Sequence, residues 1–102
     1  MRISQEDKGA LKRTLVRCLS GENEITKIIV LGSFLTSETP HDIDVAVFQD
    51  SAEGYLPLAL RYRKRTRDVS RIIPLDLIPV NSRAWSGPFL DEITKGEVIY
   101  ER

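Results

Sequence analysis

The chain has one cysteine, Cys18, and one histidine, His41. An internal disulfide is therefore excluded, a zinc site of cysteines and histidines cannot be assembled, and Cys18 reads as a core thiol. Any metal would have to be held by carboxylates, which points to hard cations such as magnesium or manganese. No apolar run approaches the roughly 20 residues that span a bilayer, and the stretch from Met1 to Lys8 is mostly polar and charged, so a cytoplasmic protein without membrane contact is expected. An excess of either charge is also missing: 15 basic and 15 acidic residues cancel. Bulk attraction to nucleic acid or anionic lipid is then not a default, and electrostatic function must come from local clustering. Repeats and low-complexity segments are absent. What remains, 102 residues with 41% hydrophobic and 29% charged, suits one compact domain covering residues 1–102.

Ser4 and Asp7 form a capping-box-like start, and Leu11, Leu15, Cys18 and Leu19 recur at helical spacing before Gly21, which predicts a helix over residues 5–19. The run Ile25-Thr26-Lys27-Ile28-Ile29-Val30-Leu31 has the length and β-branching of a strand and stops at Gly32-Ser33. Residues 34–41 show no periodicity. Asp42-Ile43-Asp44-Val45-Ala46-Val47-Phe48 follows as a second strand whose apolar part does not alternate, the pattern of a strand buried on both faces. A helix is expected from Ser51, with Pro57 near its first turn and Tyr55, Leu58, Ala59 and Tyr62 inward. A third strand surrounds Leu75-Asp76-Leu77-Ile78, with Pro74 and Pro79 at its ends. Ser86 and Pro88 open a short helix with Phe89, Leu90 and Ile93 inward and Gly96 closing it, Val98-Ile99-Tyr100 adds a final strand, and Trp85 and Tyr100 pack at the core edge. This order describes an α/β (α+β) fold, a small mixed β-sheet with helices packed on it.

The chemistry is concentrated at one end of that sheet. Strand period is two, so Asp42 and Asp44 point to the same side, and two anions that close call for protonation or a cation. Asp-x-Asp alone is also compatible with ordinary exposed acids beside a turn. Gly32 lies ten residues upstream of Asp42; glycine lets a phosphate approach the backbone, and Ser33 offers an N–H and a hydroxyl. Read alone, Gly-Ser after a strand is equally a turn. Asp76 is a lone acid in a run that otherwise reads as sheet core, where a charge needs either a metal or a salt bridge to a nearby arginine. Three acids from two strands can complete a two-ion site, with Asp76 placed to orient an attacking hydroxyl.

Hydrophobic strand, Gly32-Ser33, polar loop, Asp42-Ile43-Asp44, then an acid at Asp76: this series resembles the minimal nucleotidyltransferases of the DNA polymerase beta superfamily. The tail from Phe89-Leu90-Asp91-Glu92-Ile93 to Gly96-Glu97-Val98-Ile99-Tyr100-Glu101 is similar as well, so the likeness runs from about Ile25 to Glu101. It implies a polymerase-beta-like fold and metal-dependent transfer of a nucleoside monophosphate, AMP from ATP, to a hydroxyl. In that reading Asp42, Asp44 and Asp76 are catalytic and hold magnesium or manganese, and Gly32, Ser33, Thr36 and Ser37 lie at the phosphates. The resemblance further implies a protein partner, a helical HEPN-type toxin for which such domains act as antitoxins, or self-association. The loop departs from the family pattern where Phe34 replaces an arginine after Gly-Ser. That departure supports an alternative: a nucleotide-binding or toxin-neutralising module of the same fold with little or no turnover. His41 reads as a surface turn residue.

Arg61, Arg63, Lys64, Arg65, Arg67 and Arg71 place six cations in eleven residues. Such a run is usually a solvated helix face. The sharper options are that some arginines reach a triphosphate, or that the face docks an acidic or RNA-bound partner. Interleaved aromatics for single-strand stacking are missing.

Overall fold

A computed structural model of the chain describes residues 2–83, 93 and 95–102. Helix α1 (Gln5–Leu19) is followed by strand β1 (Ile25–Leu31), a 3-10 turn (Gly32–Leu35), β2 (Ile43–Gln49), helix α2 (Tyr55–Arg65), the one-turn helix α3 (Arg67–Ser70), β3 (Leu75–Asn81) and β4 (Glu97–Glu101). The described strands form one mixed sheet in the order β3-β2-β1-β4. β2 runs parallel to β3 and antiparallel to β1, which is antiparallel to β4. This is the α+β arrangement expected from the sequence.

α1 starts where the capping signal places it. Ser4 Oγ accepts from the Asp7 N–H, and the Asp7 carboxylate accepts from the Ser4 N–H, which satisfies two donors that the first helical turn leaves open. Leu11, Leu15 and Leu19 turn one stripe into the core. β2 lies in the middle of the sheet and is covered twice. Ile43, Val45 and Val47 face the helices, while Ala46 and Phe48 pack on the other face with Ile29, Val80 and Ile93. Double burial is the reason its sequence does not alternate.

Four expectations need correction. The second helix begins at Tyr55 rather than Ser51, because Ser51 Oγ accepts from the Glu53 N–H in a local turn that competes with helix. Tyr55, expected inward, is 57% exposed at the open first turn, whereas Leu58, Ala59 and Tyr62 are buried. Pro79 lies within β3 and not at its end; β3 is an edge strand, where a missing N–H is tolerated. Cys18 is only partly buried, so it flanks the core. The helix expected from Ser86, with Trp85, Phe89 and Leu90, lies outside the described residues; of that segment Ile93 is described and buried.

Gly96 matters for a packing reason. A Cβ built on it would lie 2.5 Å from Ile29 Cγ2 and 2.6 Å from both Leu31 Cδ2 and the Val30 carbonyl oxygen. Only a residue without a side chain lets the start of β4 lie this close to β1. No described helix is long and apolar enough to cross a membrane.

Candidate active site

Antiparallel pairing of β1 with β2 brings the end of one against the start of the other, so Leu31 faces Asp44. Parallel pairing of β2 with β3 sets Asp44 directly across from Asp76. Neighbouring strands lie about 4.8 Å apart, so opposed aspartates in a parallel register have to share space. Asp42, two residues before Asp44, joins them on the same side. One carboxylate oxygen from each of Asp42, Asp44 and Asp76 lies within 4.8 Å of the others. Asp42 and Asp44 are partly buried and Asp76 is exposed.

The electrostatics follow from that crowding. Partial burial pushes the Asp44 carboxyl above the ordinary aspartate range, and the charges of Asp42 and Asp76 together with a hydrogen bond to Asp76 raise it further. A hydrogen bond between two carboxyl groups requires a proton on one of them. No salt bridge among the described residues engages any of the three acids, although eight such bridges occur elsewhere. Hard oxygen donors at this separation, short of positive charge, fit one or two divalent cations of the magnesium or manganese type.

Gly32 closes one wall. Its φ is +78°, which a side chain rarely adopts, and a Cβ there would stand 3.1 Å from Asp44 Oδ2. The glycine thus meets the carboxylates as the spacing of the motifs suggested, and its conformation allows the 3-10 turn to begin at once. Ser33 and Thr36 are exposed on and after that turn, and the Ser33 carbonyl accepts from the Thr36 and Ser37 N–H groups. Ser37 is tied into the loop: its Oγ accepts from the Thr39 N–H at 3.0 Å. His41 is exposed before the acids.

Asp76 was expected inside sheet core, where burial would demand a counter-charge. The edge position of β3 leaves it exposed instead. Its neighbour is the carboxyl of Asp44 and not an arginine. Phe34 is likewise no site residue: the tight turn directs it inward, where it is 1% exposed. The sequence reading missed Lys8, which is 2% exposed, donates to the Ser37 carbonyl at 2.6 Å and lies over the Phe34 ring at 5.5 Å. A lysine one turn ahead of Leu11 on the apolar stripe of α1 was the available signal. Along with the Ile3 N–H donating to the Glu38 carbonyl, it fastens the loop between Ser33 and Asp42 to the start of α1.

Half of the basic run is engaged elsewhere. Arg61 pairs with Glu22, Glu24 and Glu53, Arg65 with Glu22, and Arg71 with Asp68.

Known proteins resemble this chain in sequence family and in fold. The family described as polymerase beta, nucleotidyltransferase, matches residues 13–102. A chain from the crystal structure of the toxin–antitoxin MntA-HepT superposes with a TM-score of 0.61 at 14% identity, over 92% of this chain and 73% of that one. No curated protein matches the sequence significantly.

Proposed function

The chain belongs to the polymerase beta nucleotidyltransferase family, and from that premise we propose that it transfers AMP from ATP to a hydroxyl on a partner protein. The partner in this reading is a HEPN-type toxin, for which the chain acts as a cytoplasmic antitoxin in a single domain of residues 1–102. The observation that carries the reading is the three-carboxylate cluster set against Gly32. The likeness of fold to a chain of a toxin–antitoxin complex supports the choice of partner.

In this mechanism Asp42, Asp44 and Asp76 would hold the metal ions. Magnesium or manganese there would neutralise the triphosphate, polarise the reacting phosphorus and make the attacking hydroxyl more acidic. Gly32 leaves room for phosphate oxygens at the backbone, with the Ser33 N–H and hydroxyl and the Thr36 and Ser37 hydroxyls as donors. A cation there would relieve the burial and crowding that hold the Asp44 carboxyl toward its protonated form. Asp76, exposed at the sheet edge, orients the acceptor hydroxyl and receives its proton.

A second reading keeps the fold and the metal site but lacks turnover. It is favoured by the loop of residues 33–42, which contains no lysine or arginine and so adds no positive charge at the triphosphate. ATP labelled at the alpha or the gamma phosphate separates the readings. Alpha label appearing on a co-expressed partner supports adenylyl transfer. Gamma label alone would mean a kinase, and nucleotide binding with neither label transferred would leave the non-catalytic module.

A further inference from the structure

Helix α2 has three lengthwise faces. Leu58, Ala59 and Tyr62 are buried, and Thr66 continues that line. Arg61 and Arg65 leave on one flank, where Glu22, Glu24 and Glu53 compensate them. The opposite flank is open. Leu56 and Leu60 are 61% and 54% exposed, Arg63 and Lys64 extend the same stripe at helical spacing, and Arg67 follows at the start of α3. None of these three exposed cations forms a salt bridge among the described residues, in contrast to Arg61, Arg65 and Arg71 of the same run.

Through Arg63 and Arg67 this flank meets the start of β3, which has no further strand beside it among the described residues. Arg63, Thr66, Arg67, Ser70 and Leu75 line a cleft of about 260 Å³. A second of about 260 Å³ lies between Tyr55, Leu58, Pro79 and Asn81 toward the far end of the strand. The first cleft reaches Leu75 at the start of β3, one residue before Asp76. Leu75 and Asp76 leave the strand on opposite faces, so Arg63 and Arg67 serve a body lying along the edge better than a triphosphate among the carboxylates.

The chemistry of the stripe selects the occupant. Leucines at i and i+4 followed by cations suit a helix with apolar residues at the same spacing and carboxylates beside them. An RNA strand would meet two leucines it cannot stack on, on a chain with no net charge. An added β-strand would find no N–H at Pro79. We propose that the open flank of α2 and the Arg67–Leu75 cleft dock an acidic amphipathic helix of the protein that carries the acceptor hydroxyl. Docking stands on the surface alone; only the identification of the docked protein as acceptor rests on the nucleotidyltransferase reading.

The test uses a fluorescent helical peptide with leucines spaced three and four apart and flanking glutamates, its lysine counterpart and a fluorescent oligouridylate. The intact chain is expected to bind the acidic peptide, with amide exchange slowed on α2 and at the start of β3. Arg63→Glu with Arg67→Glu should weaken binding about tenfold or more, and Leu56→Ala with Leu60→Ala about tenfold. Both variants should keep the wild-type circular dichroism and manganese binding. Equal affinity for the lysine peptide, preference for oligouridylate, protection elsewhere or a dimer buried through Leu56 and Leu60 would overturn the proposal. Docking without adenylyl transfer to any partner would remove the acceptor reading alone, and transfer indifferent to Arg63→Glu with Arg67→Glu would remove the docking surface alone.

Discussion

Charge is gathered at both ends of the β1–β2 pair, and the two gatherings are built in opposite ways. At one end, where Ile25 meets Gln49, Arg61 and Arg65 face Glu22, Glu24 and Glu53, and the Tyr62 hydroxyl donates to Glu24 at 2.8 Å. Burial pushes Glu24 up, but hydrogen bonds from its own N–H, Tyr62 and Arg61 outweigh it and leave Glu24 below the ordinary glutamate range. At the other end, where Leu31 meets Asp44, three carboxylates crowd with no basic side chain among the described residues bridging them, and Asp44 is driven up. The first cluster pairs each of its three glutamates with an arginine and ties α2 to the segment before β1. The second holds an electrostatic cost that no structural purpose explains, as expected of a site that a cation completes.

The contrast breaks most visibly if the carboxylates are neutralised. Asp42→Asn with Asp44→Asn should lower adenylyl transfer by about a thousandfold or more, measured with alpha-labelled ATP. Without metal, the same variant should melt no lower than wild type, since repulsion is removed along with function. Gly96→Ala should cost about 3 kcal/mol in chemical denaturation, because its methyl has no room against Ile29, Leu31 and the Val30 carbonyl. Arg61→Met should cost about 2 kcal/mol, below a fully buried pair because its side chain is 33% exposed. Manganese affinity should be unchanged, which would keep the two clusters separate.

The smallest effect concerns pH, and the two ends should answer with opposite sign. Asp44 is raised in the folded state, so it binds more protons folded than unfolded, and stability without metal falls as pH climbs through the folded value. Glu24 is lowered, so its contribution is present above the ordinary glutamate value and is lost as pH falls through the folded one. Melting with and without manganese should therefore show a metal-induced rise that shrinks as pH is lowered through the folded value of Asp44, and Asp44→Asn should abolish that dependence.

Much of this was legible before the fold was seen, and the exceptions share a cause. α1 and β1 could be read from the Leu11, Leu15, Leu19 stripe and the β-branched run because their signals are local. Asp42 and Asp44 were legible because strand period fixes their common side. Asp76 stood out for the wrong reason: it seemed a buried charge, but its strand is at the edge, and edge or centre is decided by pairing far away in sequence. Arg61 with Glu24 could not be foreseen, since 37 residues separate them and neither carries a local mark. Phe34 seemed a lost site residue because only the 3-10 turn shows that its position faces the core.

Manganese titration followed by electron paramagnetic resonance tests the central claim most directly. The wild-type chain should take up the ion, with a second site appearing when ATP is added, and Asp42→Asn with Asp44→Asn should lose both while remaining folded. Unaltered uptake in that variant, or none in the wild type at millimolar manganese with ATP present, would contradict the account.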